Sequence, residues 1–259
     1  MDDAHLVNIS ALTFKDPSDA EKHSKWGSAA YSPMAMSTGS VLAIEGHELV
    51  DKTGEYPESV PFMFFRNLED YQTYMNSTEW AAYNKDIQAT WGGKFEREWI
   101  AVYVLVKRFN NDQPGTVRNS EHTPQVAPIL WLSGVNLSPE DWDRYNVWFN
   151  ELGYPIYLPS LMRVPGIIEY SRWWLTNIRG WSGSTSTPKP EITENKKYPQ
   201  DLSMIYFANF KAYQNFEISR EYSAFRKALN AEFPNGLTYR WNVAYRVTSL
   251  WTRQGSVSY

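Results

Sequence analysis

Apolar and polar residues alternate in short runs along the chain, and helical spacing takes over between these runs. In the run 5–14, Val7, Ile9 and Ala11 alternate with Asn8 and Ser10, which predicts a strand. The segment 68–89 repeats apolar residues every three or four positions, which predicts an amphipathic helix ended by Gly92-Gly93. Further strands are predicted at 41–50, 60–66 and 99–106, and a helix opens at 17–21. The first half therefore has the order β-α-β-β-α-β.

The second half of the chain shows the same order with longer connections. Ser138-Pro139-Glu140-Asp141 is typical of a helix start, with a Ser cap, Pro in the first turn and acids beside the helix N-terminus. The other predicted elements are strands at 129–135, 167–176, 202–210 and 237–250 and a helix at 212–233. Two polar stretches lie outside these elements. The first, 109–126, is predicted to be a linker between the two halves. The insertion 180–198 is either a lid that orders on substrate binding or an idle surface loop.

A long-period repeat decides the predicted architecture. Residues Pro61–Leu105 align without a gap with Ser203–Val247, 142 positions later. Such self-similarity predicts two copies of one α+β unit, at 1–110 and 128–259, joined by 111–127. Each copy follows the ferredoxin-like pattern, whose sheet has helices on one face only. We therefore expect the two open faces to meet in an intrachain, pseudo-dimeric α+β barrel with a cavity between the sheets.

Composition narrows the classes of function. The net charge is −4 without a basic block, which argues against nucleic-acid binding, and no apolar run is long enough to span a membrane. The chain has no cysteine, so disulfides, thiolate metal sites and a Cys nucleophile are excluded. The acidic start lacks a signal-peptide pattern, and we expect a cytoplasmic protein, monomer or homodimer. The aromatic content of 16% suits a pocket for a flat small molecule.

Three phrases of the sequence resemble a known family. They are Phe62–Tyr71 with the following Ser77–Trp80, its repeat at Phe207–Tyr213 with Ser219–Tyr222, and Leu158–Gly166. The chain resembles the dimeric α+β-barrel superfamily in a tandem-fused form, nearest the EthD-like and stress-responsive barrel proteins. EthD-like members carry a His about eight residues before the Pro-Gly of the third phrase, and Tyr157 stands here instead. The superfamily holds cofactor-free monooxygenases, polyketide cyclases, lactone isomerases and haem enzymes, and the fold does not choose among them.

The two closing strands have diverged on one face. Ile100, Val102 and Val104 are matched in the second copy by the set Asn242, Ala244 and Arg246. The other face stays apolar in both copies, and we expect it to pack on the helices. The diverged face should then look into the cavity between the sheets, giving it one apolar and one polar half.

The predicted cavity suggests which residues take part in catalysis and in substrate binding. His47 is the candidate base, with a tyrosine as the other choice, because the pKa of histidine suits proton transfer near neutrality. Tyr170, Arg172 and Arg246 are candidate catalytic donors to an enolate oxygen. Arg172 has the alternative role of a structural ion pair with Glu169 or a neighbour. Candidate substrate-binding residues are Asn242, Tyr157, Trp174, Phe64 and Asn8.

These residues predict a cofactor-independent enzyme of secondary metabolism. It would act on an aromatic or polyketide-type small molecule by proton transfer, as a cyclase, isomerase or dehydratase-like lyase. No metal-ligand spacing and no nucleotide loop occurs in the sequence. One alternative is a monooxygenase, either cofactor-free or dependent on haem, for which His47 would be the axial ligand. Another is a non-catalytic protein that binds small molecules under stress.

Overall fold

The structure is a closed barrel of eight antiparallel strands with helices on the outside. The computed structural model describes residues 3–50, 56–111, 128–176, 199–234 and 237–259. The strands are β1 Leu6–Phe14, β2 Val41–Leu49, β3 Phe62–Phe65, β4 Phe95–Asn110, β5 Ile129–Asn136, β6 Ile167–Leu175, β7 Asp201–Phe207, β8 Thr238–Thr252 and β9 Gly255–Ser258. The helices are α1 Ser18–Trp26, α2 Ser32–Ser37, α3 Leu68–Met75, α4 Thr78–Trp91, α5 Pro139–Trp148, α6 Leu158–Leu161, α7 Phe210–Glu217 and α8 Arg220–Glu232.

Both halves of the chain arrange their strands alike. The order is β2-β3-β1-β4 in the first half and β6-β7-β5-β8 in the second. The pairs β4–β6 and β2–β8 join the halves and close the barrel, while β9 extends β8 as a hairpin. The predicted barrel within one chain is therefore confirmed. The division into two ferredoxin-like modules at 1–110 and 128–259 stays a prediction, since most of the linker lies outside the described residues.

Large apolar side chains fill the inside of the barrel. Phe62, Phe64, Tyr103, Trp173 and Tyr245 are fully buried there, in a cluster to which every strand of the barrel contributes. Each aromatic ring removes roughly 150–250 Å² from water, so this cluster is the main source of hydrophobic stabilisation. The outer face of the sheet packs on the helices in separate clusters.

Side-chain caps explain why each predicted long helix is two helices. Asn67 and its repeat partner Asn209 accept a hydrogen bond from the backbone N–H three residues on, which starts α3 and α7. Ser77 and Ser219 do the same at α4 and α8. Because such a cap stabilises a helix by about 1 kcal/mol, the chain restarts its helix at the serine. The repeat therefore preserves the caps as well as the core.

The helix before β6 is longer than its counterpart in the first half. Between α5 and α6 the backbone follows wider π-helical turns over Phe149–Tyr157, with Pro155 inside them. A proline lacks the N–H that a regular helix needs, and π turns accommodate the missing bond. A shorter π-helical segment, Gly27–Tyr31, joins α1 to α2. The second half thus places extra aromatic residues over its sheet.

Two sequence predictions fall wholly or mostly on undescribed residues. Of the linker 109–126, Phe109 and Asn110 belong to β4, and 112–126 lie outside the described part of the chain. The insertion 180–198, the predicted lid, lies outside it altogether. Hairpin β9 is an element that the sequence pattern did not predict.

Candidate functional site

A cavity of about 300 Å³ lies between the outer face of the second half's sheet and the helices that cover it. This volume is at the lower end of the range for small-molecule pockets. Strands β5 to β8 form its floor, and α5 to α8 form its roof. Its aromatic walls are formed by Trp131, Tyr145, Phe149, Phe216, Tyr222 and Phe225. The cavity is therefore suited to a flat, largely apolar molecule.

A row of polar residues crosses the floor of this cavity. Arg172 on β6 stands opposite Ser203 on β7, Ser203 stands opposite Ser133 on β5, and Ser133 stands opposite Asn242 on β8. Four adjacent strands thus carry a polar side chain at the same level. Ser133, Ser203 and Asn242 line the cavity directly. The floor can offer several hydrogen bonds to one bound molecule.

Tyr170 supplies the most buried hydroxyl of the cavity wall. The side chain is 3% exposed, and its hydroxyl lies 3.1 Å from the Ser203 hydroxyl oxygen. Burial raises the pKa of Tyr170 far above its ordinary value, and the nearby phenol of Tyr154 acts in the same direction. The phenol consequently stays neutral and can donate a hydrogen bond at any physiological pH. It is a donor rather than a base.

Arg172 is a structural cation whose donors are already engaged. Its Nε lies 2.6 Å from Asp201 Oδ2, and its terminal nitrogens donate to Tyr154 and Asn146 at 2.9 and 2.8 Å. The guanidinium also stacks 4.2 Å above the ring of Phe149. Burial alone would lower the pKa of Arg172, but the Asp201 carboxylate reverses this and raises it. The ion-pair alternative for Arg172 is thus supported, with Asp201 as the partner instead of the predicted Glu169.

The prediction for the two faces of the closing strand is wrong. Val243 and Tyr245 belong to the cluster inside the barrel, whereas Ala244 packs with the helices outside it. Asn242 and Arg246, on the same side as Ala244, are exposed on the outer face. The barrel interior takes the large apolar set because it is enclosed by strands on all sides. Asn242 and Arg246 lie on the outer face of the barrel, where cavities under the helices reach solvent.

Arg246 and His47 therefore lie away from the cavity of the second half. Both line a separate cavity of about 630 Å³ between α1, β2, β8 and β9. The His47 ring is fully buried against Phe62, with Nδ1 2.8 Å from the Val60 carbonyl oxygen and Nε2 3.2 Å from Glu45. Nε2 forms no hydrogen bond within the described residues. His47 and Arg246 share a cavity that does not contain Tyr170, so the structure does not bring the three predicted residues together in one site.

The remaining predicted binding residues are scattered. Asn242 lines the 300 Å³ cavity. Tyr157 stacks on Trp148 at the roof, and the Trp174 indole donates to Asp201 at 2.8 Å, so both support the site without lining it. Phe64 faces the inside of the barrel, away from the cavity. Asn8 is also elsewhere: it is 2% exposed on β1, and its amide forms no hydrogen bond within the described residues.

The first half has a much smaller counterpart of this cavity. It measures about 60 Å³ and lies under α1, α4 and the π-helical turns, beside Trp80 and Tyr83. At the positions that carry Ser203 and Asn242 in the second half, the first half has Pro61 and Ile100. Ser10, which pairs with Ile100 as Ser133 pairs with Asn242, keeps one polar position in the first half, but the complete polar row occurs in the second half.

Sequence reasoning missed several residues of the cavity, namely Ser133, Ser203, Trp131, Phe225 and Arg226. The signal that could have found two of them is the gapless repeat. Ser203 stands where the first copy has Pro61, and Arg226 stands where it has Asn84. Asn242 likewise stands where the first copy has Ile100. Reading these three differences together would have pointed to one sheet face and the helix above it.

Comparisons with known proteins identify the fold. The chain is similar to the structure of a candidate monooxygenase from Lactobacillus acidophilus NCFM at 13% identity, with a TM-score of 0.54 and 99% of each chain covered. It is similar to an anthrone oxidase-like protein at 14% identity, with a TM-score of 0.60 and coverage of 96% of this chain and 93% of that one. It is also similar to a chlorite dismutase mutant from Candidatus Nitrospira defluvii at 10% identity, with a TM-score of 0.52 and coverage of 93% and 90%.

At these identities the likeness shows that the chain shares the fold of these proteins. No protein-family model matches the chain, and no curated protein matches its sequence. Within the described ranges, no helix is long and apolar enough to cross a membrane. No three acidic or histidine side chains of those ranges come together as metal ligands would.

Proposed function

We propose that the protein is an enzyme that binds an aromatic, polyketide-type small molecule in the 300 Å³ cavity of its second half. There it stabilises the oxyanion that forms when the substrate loses a proton. One observation carries the proposal: a ring-lined cavity has the hydroxyl pair of Tyr170 and Ser203 in its wall, with the phenol kept neutral by burial. A neutral hydrogen-bond donor held in the cavity wall can stabilise a developing enolate or phenolate.

The chemistry follows from the electron flow of an enolisable ketone. A C–H bond next to the carbonyl breaks, and the electron pair moves onto the carbonyl oxygen. The proton passes to a water molecule at the cavity mouth, because none of the described lining residues is a carboxylate or a histidine. Tyr170 donates a hydrogen bond to that oxygen, and Ser203 lies close enough to support it. The enolate then takes a proton at another carbon, closes a ring, or expels a leaving group. These outcomes correspond to an isomerase, a cyclase and a lyase.

A cofactor-free monooxygenase is the second candidate, favoured by the fold shared with candidate monooxygenases and an anthrone oxidase-like protein. An anthrone loses a proton in the same way, and its carbanion can react with dioxygen. The methylene carbon becomes a carbonyl, one oxygen atom enters the product, and the other leaves as water. The same donor pair would stabilise the anion in both reactions.

Turnover of an aromatic ketone panel tests the proposal. The protein is incubated with anthrone and with enolisable aryl ketones, in air and under argon, and products are identified by mass spectrometry. Product under argon supports proton transfer, whereas product only in air, with matching oxygen uptake, supports the oxygenase. Binding without any product would contradict the proposal of an enzyme and would support a non-catalytic protein that binds small molecules.

Tyr170→Phe gives the matched test of the site. Loss of one oxyanion donor lowers kcat by about 10²-fold or more in other enzymes, and we expect a similar loss here. Tyr213→Phe is the control, because its hydroxyl donates to Glu217 on the outside of α7 and does not line the cavity. Equal kcat for both variants would exclude Tyr170 from the chemistry.

A further inference from the structure

We infer that the substrate carries a carboxylate, which pairs with Arg226 at the mouth of the 300 Å³ cavity while the aromatic body lies between the rings. This inference rests on the proposed function and names the class of substrate for the same site. It assigns to Arg226 a role in specificity.

Arg226 is the charged residue of the cavity lining. Among the described lining residues the others are uncharged. Arg226 lies on α8 with an exposed side chain, and its guanidinium stands 5.7 Å from the ring centroid of Tyr222. Within the described ranges no acidic side chain forms an ion pair with it, so its charge is available to a ligand.

The other nearby arginine does not compete for the same group. Arg172 is buried and neutralised by Asp201, with its donors taken up by protein atoms. Among the lining residues that the structure describes, the cavity therefore presents one uncompensated positive charge to a bound molecule. An anion is attracted to such a site, whereas a cation is repelled.

The two ends of the cavity differ in exposure, and this difference orients the ligand. Arg226 and Asn242 are exposed and mark the mouth, whereas Tyr170 is buried in the wall. A molecule that spans the cavity places its charged group at the mouth and its reacting oxygen at Tyr170. A guanidinium offers two parallel N–H donors, which match the two oxygens of a carboxylate.

The internal repeat supplies an independent comparison. Asn84 stands on α4 at the position that corresponds to Arg226, and it does not line the cavity of about 60 Å³ in the first half. Of these two corresponding places in the repeat, the charged residue therefore occurs in the half with the larger cavity.

Two probes of nearly equal shape test the inference: anthraquinone-2-carboxylate and the neutral anthraquinone-2-carboxamide. Their Kd values are measured at low and high salt from the quenching of tryptophan fluorescence. An exposed ion pair is worth about 0.2–1 kcal/mol, so we expect the carboxylate to bind up to about five-fold tighter at low salt. High salt should reduce the preference. Arg226→Gln should abolish it, and Lys227→Gln, an exposed neighbour outside the lining, should keep it.

The possible failures are distinguishable. Equal binding of both probes to the natural protein, or an equal loss of preference in both variants, overturns the carboxylate inference and leaves the cavity as the binding site. Failure of both probes to bind overturns the inference and also counts against the proposed function.

Discussion

Replacing Asp201 by Asn should destabilise the fold strongly, because it leaves Arg172 buried without its counter-charge. The two side chains are each 1% exposed and pair at 2.5 Å. Asn has nearly the same shape, so packing is retained while the negative charge is lost. Arg172 keeps Tyr154 and Asn146 as hydrogen-bond acceptors, but neither carries a charge.

The expected loss follows from the burial of this pair. Removing one partner of a buried ion pair costs about 3–5 kcal/mol, because water cannot screen the remaining charge. The total stability of a domain is only about 5–15 kcal/mol, so the loss is a large part of it. At about 2–4 °C per kcal/mol for a chain of this size, Tm should fall by roughly 6–20 °C.

The assay is urea unfolding at 25 °C followed by circular dichroism, with thermal unfolding as the second measurement. Glu232→Gln is the matched control in the same half. Glu232 accepts from Arg144 Nε at 2.6 Å, but the two side chains are 36% and 49% exposed. An exposed pair contributes about 0–1 kcal/mol. If Asp201→Asn cost no more than Glu232→Gln, the view of Arg172 as a structural cation that requires Asp201 would be refuted.

Three further predictions concern other parts of the fold. Asn8→Val should raise the free energy of unfolding by about 1–2 kcal/mol in urea titrations, because it removes a buried amide that forms no hydrogen bond with any described residue. Ser138→Ala should lower it by about 1 kcal/mol, because the Ser138 hydroxyl caps α5 through the Asp141 N–H. Burial raises the pKa of Tyr170 and Tyr74 in the folded state, so their stabilising effect is complete below about pH 10 and is lost as the pH rises. Above pH 10 each of these tyrosines should lower the free energy of unfolding by about 1.4 kcal/mol per pH unit. In unfolding measurements at alkaline pH, the Tyr170→Phe variant should lack the contribution of that one tyrosine.

The sequence was sufficient to predict the barrel and most of its elements. The gapless repeat predicts that each strand has a counterpart, and the paired caps Asn67/Asn209 and Ser77/Ser219 occupy the same places in both halves. The start of α5 at Ser138 is confirmed as well. These features depend on residues close together in the sequence or on the repeat itself, so no long-range contact was needed to find them.

The inward face of the closing strand could not be predicted from its pattern. In the first copy both faces of that strand are apolar, since every strand is covered by the barrel on one side and by helices on the other. The alternation of side chains along the strand then does not show which face points into the barrel. The polar residues Asn242 and Arg246 indicated a cavity correctly, but a cavity under helices is as compatible with them as one between sheets.

The polar row required the register of four strands. Arg172, Ser203, Ser133 and Asn242 are far apart in sequence and become neighbours only through pairing. A shift by one residue would move each side chain to the other face of the sheet. The partner of Arg172 was hidden for the same reason, because Asp201 follows a long polar insertion.

A crystal structure of the protein with anthraquinone-2-carboxylate tests the central claim most directly. We expect ligand density between β5 and α8, with the ring system beside Trp131 and a ligand oxygen within about 3 Å of the Tyr170 hydroxyl. Density inside the barrel beside Phe64, or in the small cavity of the first half beside Trp80, would contradict it.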